Sequence, residues 1–276
     1  MKLSLSSFVF LNYPLDQAIL RIADAGYDGV DIWGGRPHAY RTDLTSAQVR
    51  ELAKRVTDLG LSIPSFIPAQ FRYPTSLCSA SPKVRDDSVS YIKEGLQTAA
   101  ELGAPVVSVC PGHSVFGQAR EDAAGRLAES LGEICETARS LNLRVALEPA
   151  DKYETDLVNT CQQAIELIEQ VGAPNLGVVL DNGHSHVVGE EAHEAIPALG
   201  EKLFHVHVDD NNGLRDQHLI PGEGTFNFTP FLSALRQTSY DGFLTAELSW
   251  DYILEPDKAA RSARERMKQI LEAQNP

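Results

Sequence analysis

Four consecutive apolar runs in the second half of the chain end in a residue type that binds metal ions. They are Val145-Ala146-Leu147-Glu148, Val178-Val179-Leu180-Asp181, His205-Val206-His207-Val208 and Thr245-Ala246-Glu247. Three carboxylates and one imidazole form a hard, oxygen-rich set with one borderline nitrogen. Such a set suits Mn²⁺, Mg²⁺, Co²⁺ or Zn²⁺ and leaves room for two substrate oxygens. A single acid at the end of an apolar run is ordinarily a loop residue or a helix cap. Three unpaired carboxylates around one mouth are costly to bury without a cation, so the four together read as a site for one divalent metal ion.

Further candidates surround this set. His184 lies three residues after Asp181, where it reaches either a substrate oxygen or the surroundings of the metal. Glu154 lies six residues after Glu148 and is placed to bind a substrate hydroxyl. His113 and His38 also fall at expected strand ends, each as suited to lining the pocket as to ordinary loop structure. Asp216 and His218 form an Asp-x-His pair before Pro221-Gly222-Glu223-Gly224. That pair is read as ordering its loop in preference to binding a second metal. His205 and His207 share one strand and are expected to face opposite sides, with His207 entering the mouth and His205 left to packing. His186 and His193 read as exposed loop or helix residues. Cys110 reads as a small buried apolar residue, since no strong base is evident beside it.

A frame is needed to bring these residues together. Strand-like runs fall at 3–10, 29–33, 61–66, 105–110, 144–148, 177–181, 204–208 and 243–247. Several are continuously apolar, as expected of strands buried on both faces. Helical patterns fall between them, at 15–25, 46–59, 84–102, 120–141, 158–171, 190–199, 230–237 and 256–271. Thr45 or Ser46 suits a helix cap, and Pro230 and Pro256 suit a first helical turn. Gly26, Gly60, Gly103 and Gly172 follow helix ends, where a left-handed residue is wanted.

Eight alternating pairs are the count of a (β/α)8 TIM barrel, here a single domain over residues 1–276 with the site at the C-terminal ends of strands five to eight. The alternative, an open doubly wound sheet, usually carries a Gly-rich phosphate loop after its first strand, and the sequence has none there. The longest irregular stretch, Ile67–Pro82, reads as a surface excursion or a lid.

Composition narrows the partners. With 276 residues the chain is long enough to bury a substantial core. Its formal net charge of -14 argues against general affinity for nucleic acid or an anionic membrane. Cys78, Cys110, Cys135 and Cys161 are scattered, as free thiols in a reducing compartment would be. No stretch approaches the ~20 apolar residues of a membrane span, and the N-terminal apolar run is too short for a signal peptide. A cytoplasmic location is expected.

The segments Leu147-Glu148-Pro149, Leu180-Asp181-Asn182-Gly183-His184, His205-Val206-His207, Pro221-Gly222-Glu223-Gly224 and Ala246-Glu247-Leu248 together resemble the xylose isomerase-like barrel superfamily. Glu148 to Val187 is similar to its D-tagatose 3-epimerase group. The block Tyr27–Ala39, the block Asp216–Gly224 and the ending from Tyr240 to Glu255 resemble the fructoselysine 3-epimerase branch. The resemblance implies a metal-dependent sugar isomerase or epimerase acting on a ketose or ketose-amine. It implies one divalent ion, Mn²⁺ above all, held by Glu148, Asp181, His207 and Glu247. It implies that Glu148 and Glu247 are the acid–base pair. It puts Arg215 forward as the substrate arginine, farther from His207 than in the tagatose group. His184 would steady the O2 side of the substrate, and Trp33 with the segment Phe66–Tyr73 would supply an apolar wall. By analogy with related barrels, a homo-oligomer (dimer or tetramer) is expected.

Three other readings share these residues. Aldose–ketose isomerisation would use the same site with proton movement between C1 and C2. A nuclease of the endonuclease IV type needs additional histidines, which the segment Leu61–Ser81 lacks, and a net charge that does not repel DNA. A non-enzymatic binding protein on a barrel scaffold leaves the four-residue set without a purpose.

Overall fold

The computed structural model describes residues 1–70 and 75–273. Parallel strands β1 (Lys2–Ser6), β2 (Gly29–Gly34), β3 (Ser65–Pro68), β4 (Val106–Val109), β5 (Arg144–Leu147), β6 (Leu176–Asp181), β7 (Leu203–Val208) and β8 (Phe243–Ala246) close a barrel in chain order. The seam is made by β8 against β1, with Leu3 opposite Leu244 and Leu5 opposite Ala246. Around it run α1 (Leu15–Asp24), α2 (Ser46–Asp58), α3 (Pro82–Leu102), α4 (Arg120–Ser140), α5 (Cys161–Val171), α6 (Asn182–Val188), α7 (Ala192–Leu199), α8 (Phe228–Gln237) and α9 (Pro256–Glu272). This is a (β/α)8 TIM barrel. Among the described residues, no helix is long and apolar enough to cross a membrane.

Local chemistry sets the helix ends. The Thr45 hydroxyl accepts from the Gln48 N–H while the Gln48 side chain accepts from the Thr45 N–H, a reciprocal capping box. Pro82 and Pro256 occupy first turns, where no backbone donor is needed. Gly103 and Gly172 close α3 and α5 at φ values of 79° and 68°, a conformation that disfavours any residue with a Cβ.

The core lies in two places. Between barrel and helices, fully buried side chains such as Leu5, Ile19, Ile92, Leu127 and Leu131 make one continuous apolar layer. Each contributes about 1.5–3 kcal/mol by leaving water. Inside the barrel the apolar part is small. Val106, Ala146 and Val179 pack with Phe204 at one level. Phe204 is an extra residue in β7, because Leu203 pairs with Val178 and His205 with Val179. Gly177 makes room for it, since a Cβ there would stand 2.5 Å from the Phe204 ring. Above that level the interior is polar, with Ser4, Asp31, Ser65, His205 and Thr245 all buried.

The barrel corrects several expectations. Side chains alternate with every residue of a strand, so residues two apart share a face. His205 and His207 therefore both point into the barrel, with ring centroids 5.2 Å apart. The third strand begins at Ser65 and not at Leu61, leaving Ser62 with an isolated bridge to Gly29; Pro64 lacks a backbone donor for the ladder. The first strand stops at Ser6 and passes into a 3-10 turn, Ser7–Phe10, which turns Phe8 toward the mouth. The short helix α6 was not apparent in the sequence. Of the stretch Ile67–Pro82, Ile67 and Pro68 extend β3, while residues 71–74, including Phe71 and Tyr73 of the expected apolar wall, lie outside the described residues.

Candidate metal centre and substrate cavity

Glu148, Asp181, His207 and Glu247 converge, with one ligand atom from each lying within 4.8 Å of the others. Each is held by the barrel. Glu148 follows β5, and its N–H donates to the Val109 carbonyl at 3.0 Å. Its Oε2 accepts from the Ser108 hydroxyl at 3.1 Å, which leaves Oε1 facing His207 Nδ1 at 2.6 Å. Glu247 follows β8 and brings Oε2 to 3.1 Å from the same Nδ1. Asp181 ends β6 and caps α6, with Oδ1 accepting from the N–H groups of Gly183 and His184 at 2.6 and 3.0 Å. Its Oδ2 is buried with no hydrogen-bond partner among the described residues, 4.0 Å from His207 Nδ1.

This arrangement fits a divalent cation. Three carboxylates face one imidazole, an imbalance of negative charge in a setting where Glu148 is 6% exposed and Asp181 1%. The orphaned Oδ2 is aimed at the point where the other three side chains converge, and a cation there would give it a partner. The charge imbalance also shows in the titration of the groups. Burial works against ionisation of Glu148, but His207 outweighs it and holds the carboxyl at about 2. Burial pushes Asp181 upward. His207 is driven down by burial yet lifted well above its ordinary value by Glu148 and Glu247.

Asp31 lies below the cluster on β2. Its Oδ2 accepts from the Ser65 hydroxyl at 2.6 Å and lies 2.7 Å from His205 Nε2. The Thr245 hydroxyl is 2.9 Å from the same nitrogen and pairs with Ser4. Nothing in the spacing of the sequence joins Asp31 to the site residues, since its partner His205 lies 174 positions away. The signal for Asp31 was an acid between apolar neighbours in Val30-Asp31-Ile32, inside a strand buried throughout.

A second series of acids and imidazoles adjoins the cluster. His218 has Nδ1 at 2.6 Å from Asp209 Oδ2 and Nε2 at 2.6 Å from Asp216 Oδ2. Asp216 Oδ2 is in turn 3.6 Å from His184 Nδ1, which also stands 3.6 Å from Asp151 Oδ2. Burial pushes the Asp209 carboxyl well up, helped by Asp181. Asp209 leaves no space beside Gly183, where a Cβ would stand 2.0 Å from Oδ1. The Pro221–Gly224 loop is tied by a different acid, Asp210, which accepts from the N–H groups of Gly222 and Phe226 at 2.8 and 3.0 Å.

A cavity of about 580 Å3 opens over the cluster. Glu148, Glu247, His184, Glu154, Arg215 and Trp33 line it. So do Phe8 and Trp250, whose place in the cavity carries no signal in the sequence. Phe8 packs edge-on against both tryptophans, at centroid distances of 4.9 and 5.2 Å. Arg215 lies over the Tyr153 ring, 4.5 Å from its centroid.

Other candidates stand apart. His113 is not among the cavity residues; its Nδ1 contacts the Ser114 carbonyl and lies 3.4 Å from Asp156. His38 is buried against Ser7 and the carbonyls of Phe10 and Tyr13, a structural role. His186 is half-buried and bonds Thr225, and His193 lies on α7. Cys110 reaches the cavity as a neutral thiol, because burial and Glu148 push its pKa well up.

Comparison with known proteins gives consistent results. A family model described as a xylose isomerase-like TIM barrel matches residues 19–270. Fructoselysine 3-epimerase of Escherichia coli O157:H7 is 31% identical over 258 residues, covering 94% of each chain. Ketose 3-epimerase of Arthrobacter globiformis is 29% identical over 87% of this chain and 79% of its own. A crystal structure of a D-tagatose 3-epimerase-like protein superposes with a TM-score of 0.85 at 26% identity, covering 100% of this chain and 98% of that one.

Proposed function

The chain belongs to the xylose isomerase-like TIM-barrel family and is an enzyme of the isomerase class; from that premise we propose that it is a ketose 3-epimerase dependent on one divalent metal ion. The observation that carries the reading is the convergence of Glu148 and Glu247 on one edge of His207, at 2.6 and 3.1 Å, on the floor of a cavity large enough for a sugar. Two carboxylates that share a site can divide the roles of base and acid.

Glu148, Asp181, His207 and Glu247 would hold the ion, and the oxygen-rich set favours Mn²⁺. The bound ion supplies Lewis-acid stabilisation of the negative charge that develops on the C2 oxygen. One glutamate takes the proton from C3, giving a planar enediolate. The other returns a proton to the opposite face and inverts C3. His184 orients the O2 side, and Glu154 and Arg215 take hydroxyl groups. Phe8 and Trp33 form an apolar wall that keeps water from the enediolate. The substrate class includes free ketoses and ketoses bearing an amine at C1. The unpaired cysteines suit a reducing, cytoplasmic setting.

The test is NMR in D₂O with metal-loaded protein and a panel of fructoselysine, D-fructose, D-tagatose, D-psicose and L-ribulose. Deuterium entering at C3 as the C3 epimer forms is expected. Deuterium confined to C1 or C2 as an aldose forms would replace the reading with aldose–ketose isomerisation. No exchange with any sugar would remove the substrate class.

A further inference from the structure

A cavity of about 630 Å3 opens at the other end of the barrel, away from the metal cluster. Residues at the N-terminal ends of β3, β4, β5, β7 and β8 wall it, and Ala53, Val56 and Thr57 on one face of α2 close its side. Cavities of roughly 300–1,000 Å3 hold drug-sized ligands. The composition of this wall is unlike that of the sugar chamber. A chain with 38 acidic residues among 276 places none of them here, whereas Glu148, Glu154, Asp216 and Glu247 all line the sugar chamber.

Two polar groups mark the ends of the cavity. At the rim stands Arg144, which is exposed and begins β5. Its guanidinium lies over the Phe204 ring, 4.7 Å from the centroid, and no carboxylate among the described residues is within ion-pair distance of it. A guanidinium held against a ring still presents its planar fork to a carboxylate. At the inner end stands His205, which is 2% exposed. Its Nε2 is engaged by Asp31 and Thr245, at 2.7 and 2.9 Å, while Nδ1 has no hydrogen-bond partner among the described residues. A buried ring nitrogen without a partner is costly unless a ligand supplies one. A hydroxyl suits it in either protonation state, because a hydroxyl both donates and accepts.

Between these ends the wall is apolar and rich in rings. Phe204, the extra residue of β7, lines it with Tyr240 and Phe243, and all three are only half-buried. Leu61, Ile63 and Val106 add aliphatic surface. Half-buried rings beside a stacked guanidinium favour a flat partner. We propose that this cavity is a second ligand site, for a planar aromatic carboxylate that carries a hydroxyl at the end away from the acid. The carboxylate takes the Arg144 fork at the rim. The ring system lies against Phe204 and Phe243, and the hydroxyl meets His205 Nδ1. This ligand is distinct from the sugar, and its binding does not depend on the reaction at the opposite mouth.

The experiment is calorimetry of the full chain, metal-loaded and EDTA-treated, with 6-hydroxy-2-naphthoate, its neutral carboxamide and 2-naphthoate. The hydroxy acid is expected to bind about tenfold or more tighter than the carboxamide, and about fivefold tighter than the acid without a hydroxyl. Removal of the metal is expected to leave its affinity unchanged. Arg144→Gln is expected to erase the preference for acid over carboxamide. Thr57 is exposed on α2, so Thr57→Trp keeps the fold while its ring fills the cavity from the side, and it is expected to weaken the hydroxy acid about tenfold. No binding of the hydroxy acid, or equal affinity for acid and carboxamide, would overturn the site. Binding lost on EDTA treatment and unchanged in Arg144→Gln would place the acid on the metal cluster and overturn it too. Equal affinity for the two acids would remove the contact with His205, and with it the assigned ligand.

Discussion

Asp31 stands behind His207: its Oδ2 lies 3.5 Å from Nε2, while Nδ1 at the other edge of the ring faces Glu148 and Glu247. An imidazole that binds a metal through one nitrogen ordinarily presents the other to a carboxylate or carbonyl, which fixes its orientation and raises its basicity. Asp31 is itself anchored by Ser65 and His205. Burial opposes its charge, but His205 and His207 outweigh this and keep it well below the usual carboxylate range. The polar barrel interior is thus the support of the imidazole that faces the cavity.

Asp31→Asn is expected to weaken Mn²⁺ binding by about 10–100-fold, the usual effect of removing such a partner. Calorimetric titration of metal-free protein measures this directly. Binding within about twofold of wild type would show that Asp31 serves only packing.

Glu148→Gln and Glu247→Gln are each expected to lower kcat by about 10²–10⁴-fold, the range of general acid–base contributions. Circular dichroism and metal content should accompany the rates, because both residues are also candidate ligands. A variant that retains metal and turns over within about tenfold of wild type would sink the two-base mechanism.

The barrel was legible because its signals are local. Apolar runs alternate with helical patterns, Thr45 caps α2, and Gly103 and Gly172 end their helices as expected. Glu148, Asp181, His207 and Glu247 could be picked out because each sits at a strand end, and the fold sends those ends to one place. Residues whose roles depend on distant partners were harder to see. Asp31 meets His205 across 174 positions of sequence. Phe8 reaches the cavity only because β1 breaks into a 3-10 turn. His113 occupies the same kind of strand-end position as Glu148, yet its loop carries it to Asp156. His205 was assigned to the wrong face, and the β7 irregularity at Phe204, which sets the register against β6, has no sequence signature.

Gly183 is where α6 passes over Asp209. A Cβ there would stand 2.0 Å from Asp209 Oδ1, far inside contact distance. The obstacle is a buried carboxylate rather than the free end of a flexible chain. Gly183→Ala is therefore expected to destabilise the protein by about 1–3 kcal/mol or more through overpacking. It should also weaken metal binding, since the Gly183 N–H holds Asp181. Thermal unfolding with and without Mn²⁺ tests both, and an unchanged Tm would contradict the close packing.

The metal-free protein should show a pH dependence set in part by His218. Burial lowers the pKa of this imidazole, but Asp216 and Asp209 outweigh it and raise the value well above 6.5. A group whose folded pKa exceeds its unfolded one lends its full stability below the unfolded value and loses it as pH rises through the folded value. For His218 the loss begins at about 6.5 and continues upward. Its partner Asp216 moves the other way: burial opposes its charge, but His218 and His184 bring it from 3.8 to about 2. That contribution is present above 3.8 and fades as pH falls toward 2. The pair therefore stabilises most between these limits. Calorimetry of EDTA-treated protein at about pH 6 and about pH 9 should give the lower Tm at the higher pH, and His218→Gln should flatten the difference. An equal slope in wild type and variant would mean that His218 does not carry the dependence.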